Sequence, residues 1–331
     1  MTFFPQLIAG PIVSHSEMIP QFRSLNKRHF VPEYFAKGMY IFALGLFKKV
    51  MIADTFGKAV SYGFSNIETL SSLEALIVSL SFTFQLYFDF SGYCDMASGI
   101  AGMFNIILPY NFNSPYKAAS ITDFWNRWHM SLTRFLKTYI YIPLGGNRKG
   151  RVRTYINIMI VYLISGIWHG ANWTFVLWGV FHGLLNCLNR LFNKYWERLG
   201  EVTQWTVTFM LVNLLWILFR ADNISTAKLF VERLFCFSDF TVRKELYDCF
   251  NLFEFTLIEG KIPGLRYLAN VISGFNMWLF LFGTFFVILN LRNSRKIEFR
   301  PTVGRAVITV LFTLWSVVSF AGVSTFLYFN F

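Results

Sequence analysis

The sequence predicts an all-α, polytopic integral membrane protein, and three observations carry that reading. Of its 331 residues, 55% are hydrophobic and 15% are charged, against about 25% charged in ordinary soluble domains. Mean hydropathy is +0.45. The apolar residues also gather in runs without Asp, Glu, Lys or Arg, and roughly 20 such residues suffice for one helical crossing. This composition excludes disordered, collagen-like and low-complexity classes. Residues 1–331 read as a single membrane domain.

In chain order, Gly38 to Phe47 is a short apolar stretch ending at Lys48 and Lys49. Ala75 to Phe88 gives 14 uncharged residues and Met96 to Tyr116 gives 21, two pieces divided by Asp89 and Asp95. Thr154 to Asn189 is a run of 36. As one helix it would measure about 54 Å, so the turn residues Gly170-Ala171-Asn172 are expected to fold it into a hairpin. Val202 to Phe219 (18 residues), Tyr267 to Leu291 (25) and Ala306 to Phe331 (26) follow. The sum is about seven crossings or re-entrant pieces.

Lys and Arg mark cytoplasmic loops. Arg148, Lys149, Arg151 and Arg153 precede the hairpin, and Arg190, Lys194 and Arg198 follow it, so both its ends read as cytoplasmic. A crossing at 202–219 then places 220–266 outside as a mainly extramembrane amphipathic segment, where seven basic and seven acidic residues cancel. The return at 267–291 leads to Arg292, Arg295, Lys296, Arg300 and Arg305, and leaves the C-terminus outside. A net charge of +12 is thus explained by loop orientation and anionic lipid, not by nucleic acid. Cys94, Cys187, Cys236 and Cys249 form no CxxC pair, and a Cys236–Cys249 bridge in the outer segment stays open. Thr2-Phe3-Phe4-Pro5-Gln6-Leu7 lacks the charged flank of a signal peptide.

An ionisable residue inside a bilayer is a functional hypothesis by default. His169 stands 15 residues beyond Thr154, about 22 Å of helix rise, deep in the core. A histidine in a dry setting stays neutral and can accept a proton; it can equally be one satisfied by a helix carbonyl. His129 lies in a pattern in which Trp125, Trp128, Leu132, Phe135, Leu136, Tyr139 and Ile140 share its face. That spacing predicts one amphipathic helix along the membrane, with Arg127, Arg134 and Lys137 opposite. His182, among Trp178, Phe181 and Leu185, reads as core packing, and His15 and His29 as solvated. Asp89 and Asp95 are about 120° apart on a helical wheel, which argues against a paired-carboxylate site. The basic loop Gly145-Gly146-Asn147-Arg148-Lys149-Gly150 is either an orientation signal or a landing place for an anionic donor. No HExxH, GxSxG, P-loop or dinucleotide motif is present.

Four blocks carry a resemblance. Tyr87-Phe88-Asp89-Phe90-Ser91-Gly92-Tyr93, Ile121-Thr122-Asp123-Phe124-Trp125-Asn126-Arg127-Trp128-His129, Tyr141-Ile142-Pro143-Leu144-Gly145-Gly146-Asn147-Arg148 and Trp168-His169-Gly170, in this order, resemble the membrane-bound O-acyltransferase (MBOAT) family. Within it the chain is similar to the bacterial branch of alginate and peptidoglycan O-acetyltransferases and teichoic-acid D-alanyl transferases. The resemblance implies a helical ring with re-entrant and amphipathic helices around a central tunnel. It also implies that the usual helices before Phe3-Phe4-Pro5-Gln6-Leu7 are missing from this sequence. His169 matches the family histidine in the tunnel and His129 the second polar position. Trp168, Asn126, Trp128, Asp89 and Asn172 are the implied tunnel or support residues. The ending Phe326-Leu327-Tyr328-Phe329-Asn330-Phe331 resembles an F-x-Y-x-x-F tail whose tyrosine holds the acyl group in transit; an aromatic interfacial anchor is the competing reading.

The expected function is transfer of an acyl group, acetyl above all, from a cytoplasmic thioester to a hydroxyl outside. The donor would be acetyl-CoA or the phosphopantetheine of an acyl carrier protein, with no tightly bound cofactor and no metal. The acceptor would be an extracytoplasmic glycopolymer, as in alginate or cell-wall O-acetylation, or a partner O-acetyltransferase of SGNH-hydrolase type. Membrane lipid is the remaining partner, and the bacterial inner membrane the expected location. D-alanyl transfer to teichoic acid, a transporter with proton-relaying histidines, and a scaffold subunit are the alternatives.

Overall fold

The computed structural model describes residues 10–24, 29–237, 239–252, 265–291, 293–320 and 327, the side chains of 265–273 and 295 excepted. Among these residues the structure is helical, with no strand. The chain forms two compact units, one from residues 1–59, 84–111 and 247–330 and the other from 60–83 and 112–246.

The first unit begins with α1 (His15–Arg23), started by a capping box in which the Ser14 N–H donates to Glu17 Oε2 at 2.9 Å. Met18 seats α1 among Ala97, Ala101, Ile106 and Leu108. Helix α2 (Pro32–Phe47) opens with proline, whose missing N–H costs nothing in a first turn. A π-helical segment, Lys48–Ala53, continues α2 into α3 (Asp54–Ser65).

Helix α4 (Ser72–Met103) is one continuous element of 32 residues, not the two pieces expected on either side of Asp89 and Asp95. Their charges are neutralised where they stand. Lys48 Nζ lies 2.6 Å from Asp95 Oδ2, and Lys49 Nζ lies 2.7 Å from Asp89 Oδ1 and 2.7 Å from Asp54 Oδ1. With the carboxylates paired, nothing obliges the helix to stop. It ends instead at Met103; Asn105 and Ser114 adopt left-handed backbone, so the charge-free run to Tyr116 is not a helix.

Two close crossings set α2 against α4. A methyl on Gly38 would meet the Gly99 carbonyl, and one on Gly45 would meet the Gly92 carbonyl. Both pairs are seven residues apart on each helix, so the backbones meet twice on the same faces. Helices α13 (Leu265–Asn290) and α14 (Val303–Val318) complete this unit in chain order; α14 stacks Phe312 on Phe47 at 4.3 Å. The expected span over 306–331 thus has a described helix only to Val318. The Asp89 carboxylate also accepts the N–H of Leu327 at 3.0 Å.

The second unit takes the first turns of α4. Ser71 and Glu74 cap it reciprocally, and Arg243 forks onto the Glu74 carboxylate at 3.0 and 2.9 Å. Its remaining helices are α5 (Ile121–Arg127), α6 (Met130–Leu136), α7 (Arg151–His169), α8 (Trp173–Leu191), α9 (Asn193–Trp196), α10 (Glu201–Arg220), α11 (Ile224–Leu234) and α12 (Lys244–Asp248). The hairpin expected at Gly170-Ala171-Asn172 is present. Its arms approach closely because a methyl on Gly166 would strike the Phe175 carbonyl and one on Gly179 the Tyr162 carbonyl. Asn213 of α10 donates to the Ser79 carbonyl at 3.0 Å and to Thr83 Oγ1 at 2.7 Å, binding α10 to the start of α4.

Among the described residues, two helices are long and apolar enough to cross a membrane, Ser72–Met103 and Glu201–Arg220; Gly274–Asn290 and Val303–Val318 are shorter apolar helices. No disulfide joins Cys236 and Cys249.

Candidate active site

The amphipathic helix expected through His129 is broken. Ser120 caps α5 by accepting the Asp123 N–H, and Asp123 holds Arg127 at 2.8 Å one turn on. Trp128 is then extended, and His129 has φ 43° and ψ 52°, a left-handed backbone. For a non-glycine residue that conformation costs about 1–2 kcal/mol. Burial of Trp128 accounts for the bend: at 1% exposure it packs on Phe124 at 5.6 Å, Phe112 at 5.0 Å and Trp216 at 5.1 Å. The continuous face from Trp125 to Ile140 therefore does not exist. Phe135 and Tyr139 are exposed, while His129 is buried at 3%.

His169 is the last residue of α7, where the hairpin turns. Its Nδ1 lies 2.6 Å from the Ser165 carbonyl. A carbonyl only accepts, so Nδ1 carries the hydrogen and the neutral ring keeps its lone pair on Nε2. Around the imidazole stand Trp168 at 4.8 Å, Trp178 at 5.0 Å and Phe219 at 5.3 Å between ring centroids. His129 lies 6.2 Å from the same Trp168 ring. The two histidines proposed from the sequence thus border one indole, although 40 residues separate them.

The other expected residues divide. Trp128 is buried in this unit, Trp168 is 54% exposed, and Asn126 is exposed on α5. Asn172 caps α8 by accepting the Thr174 N–H at 3.1 Å, and its amide donates to the Asp222 carbonyl, fixing the turn beside His169. Asp89 belongs to the first unit, in the lysine cluster described above. Tyr328 lies outside the described residues, as does the Phe3–Leu7 block. His182 is fully buried, as a packing residue should be, yet it also accepts a hydrogen bond from Trp125 Nε1 at 3.2 Å. Trp216 and Phe219 were not singled out from the sequence, and Trp178 was read there only as a packing neighbour of His182, one turn before it on α8.

The basic loop turns on Gly145 (φ 101°) and Gly146 (φ 55°), conformations side chains resist. Asn157 of α7 donates to the Gly146 carbonyl at 2.8 Å and holds the loop in place. Beneath it a cavity of about 420 Å³ is lined by Asn147, Arg151, Thr154 and Arg190 among others. From Phe124 to Trp196 the chain carries nine Lys and Arg residues and no Asp or Glu.

Residues 1–237 match the model of the membrane-bound O-acyltransferase family. A peptidoglycan O-acetyltransferase from Helicobacter pylori is 52% identical over 231 residues, covering 69% of this chain and 44% of that protein. The probable alginate O-acetylase AlgI of Pseudomonas putida is 34% identical across 100% of this chain and 68% of its own length. A teichoic acid D-alanyltransferase from Streptococcus thermophilus is 28% identical over 56% of the chain and 47% of that protein. The chain thus spans about half to two thirds of the curated relatives it matches.

Proposed function

The chain belongs to the membrane-bound O-acyltransferase family, and from that premise we propose that it moves an acetyl group from a cytoplasmic thioester to a hydroxyl on an extracytoplasmic glycopolymer, with His169 as general base. The observation that carries this is the His169 tautomer. Its Nδ1–H is committed to the Ser165 carbonyl, which orients the ring and presents Nε2 as the proton acceptor. His129, across the Trp168 ring, is the second group at the reacting centre. The relatives named for O-acetylation are more similar to this chain than the D-alanyltransferase, which favours acetyl over D-alanyl.

A thioester is already activated, so the enzyme has two tasks. It must take the proton from the attacking hydroxyl, and it must steady the oxygen on which charge develops. Aromatic rings around His169 exclude water, which strengthens both effects. The donor is acetyl-CoA or a carrier-bound phosphopantetheine, entering from the basic-loop side. Transfer onward is direct or through the serine of an SGNH-hydrolase-like partner, with Tyr328 as an intermediate acyl holder. Helix α13 exposes Phe275 (64%), Leu279, Phe282 (66%) and Phe286 along one stripe, as a lipid-facing helix does. This supports a multi-pass location in the inner membrane.

The test is transfer from a radiolabelled thioester in membranes carrying the chain or its His169→Ala form. Loss of general base catalysis should lower the rate by about 10²–10⁴-fold. Equal transfer by both forms would overturn the assignment. Tyr328→Phe should abolish delivery to the acceptor while leaving expression intact; undiminished delivery would remove Tyr328 from the route.

A further inference from the structure

Two histidines of the second unit are held in opposite tautomers. At His169, Nδ1 donates and Nε2 keeps the lone pair. At His182 the order is reversed. An indole is a donor only, and Trp125 Nε1–H gives to His182 Nδ1 at 3.2 Å. Neutral His182 therefore carries its hydrogen on Nε2. The residue is 0% exposed, and Nε2 has no acceptor among the described residues. Trp178 Nε1 and Trp216 Nε1 share that condition, on residues each 1% exposed.

These three rings are neighbours. Trp178 and His182 lie 4.9 Å apart, Trp178 and Trp216 5.8 Å, and His182 and Trp216 6.2 Å. Trp178 in turn lies 5.0 Å from His169. A buried N–H without an acceptor is costly, and core packing calls for the rings, not for their N–H groups. The leftover atoms are also of one kind, since all three are donors. Their complement is an acceptor that gains negative charge, and an acyl transfer at His169 provides one in the carbonyl oxygen.

We propose that His182 Nε2–H, Trp178 Nε1–H and Trp216 Nε1–H form the donor set that binds the thioester carbonyl and its oxyanion during transfer at His169. This rests on the acyl-transfer reading above and adds the groups that steady the developing charge. In the step, the acceptor hydroxyl oxygen bonds to the carbonyl carbon while His169 Nε2 takes its proton. The carbonyl π pair moves onto oxygen and is held by the N–H donors. On collapse the pair returns, the C–S bond breaks, and sulfur leaves with its electron pair and the proton from His169. Trp125 is a positioning residue, acting only through the His182 tautomer.

The probe is a ketone analogue of acetyl-CoA that cannot transfer its acyl group, ¹³C-labelled at the carbonyl and followed by isotope-edited infrared spectroscopy on the membrane-embedded chain. Its C=O stretch should fall in frequency on binding and return toward the free value in Trp178→Phe and His182→Phe. His182→Gln, which offers an amide N–H near the Nε2 position, should keep most of the shift. In transfer assays each donor removed should lower kcat by about 10²-fold with KM nearly constant, and Trp125→Phe should have a smaller effect. A bound analogue with no shift, or phenylalanine variants that transfer at the parent rate, would overturn the donor set and leave the cluster as aromatic packing. An analogue that does not bind, with no transfer by the parent, would instead overturn the acyl-transfer reading and this proposal with it.

Discussion

The lysine cluster of the first unit and the surroundings of His169 in the second bury polar groups in opposite ways. In the first, Asp89 and Asp95 on α4 both meet lysines, and Asp95 also accepts from Ser294 Oγ at 2.8 Å. Around His169 in the second, the neighbours are the uncharged rings of Trp168, Trp178 and Phe219, and Nδ1 of the imidazole itself is tied to the Ser165 carbonyl. A carboxylate whose partners are all supplied by the protein fixes two helices in register and has little left for a substrate. His182, Trp178 and Trp216, whose ring N–H groups have no acceptor among the described residues, do have something left. Buried polarity is thus closed by ion pairs at the first place and leaves unpartnered donors at the second.

Mutations at the two places should separate accordingly. His169→Ala is expected to give the largest loss of transfer, about 10²–10⁴-fold, with little change in the thermal unfolding midpoint in detergent. An unfolded variant would erase the distinction. Lys49→Met should do the reverse. It leaves Asp89 and Asp54 without their cation, and breaking a buried pair destabilises by about 3–5 kcal/mol. The check is the unfolding midpoint and the yield of folded protein, and an unchanged midpoint would mean that the cluster is solvated after all.

Smaller effects sharpen the picture within the second unit. Gly179→Ala pushes a methyl into the Tyr162 carbonyl, so α7 and α8 must part; overpacking costs about 1–3 kcal/mol. Because His169 and Trp178 sit on these two arms, kcat should fall more than stability does, which parallel assays would reveal. Arg243→Ala removes the fork on Glu74, a residue 1% exposed. A charged hydrogen-bond partner is worth about 1.5–3 kcal/mol, and the partial exposure of Arg243 puts this loss at the lower end, visible in the midpoint and absent from KM.

Much of this was legible from sequence wherever apolar runs ended in charge or turn residues. The hairpin at Gly170–Asn172, α10 and α13 all have that form. Helix α4 was not, because Asp89 and Asp95 look like interruptions until Lys49 and Lys48, distant in the chain, are seen beside them. The break at Trp128–His129 carries no glycine or proline; it follows from where the Trp128 indole is buried, a tertiary fact. His169 and His129 stood out as ionisable groups among apolar neighbours. The tautomers of His169 and His182 did not, because a tautomer is set by a partner, here the Ser165 carbonyl for His169 and the Trp125 indole for His182.

The π-helical segment at Lys48–Ala53 bears on how this chain can change length. Its hydrogen bonds run from i to i+5, so each closed loop holds one residue more than in an α-helix. Deleting a residue from an ordinary helix rotates everything beyond it by about 100°. Deleting one between 48 and 53 should instead relax the bulge into regular helix. The glycine crossings at Gly38 and Gly45 before it, and Phe56 after it, would keep their orientation. The bulge is then a slack point in the register of a long rod, where an indel is absorbed and only the spacing of the two lysines is altered.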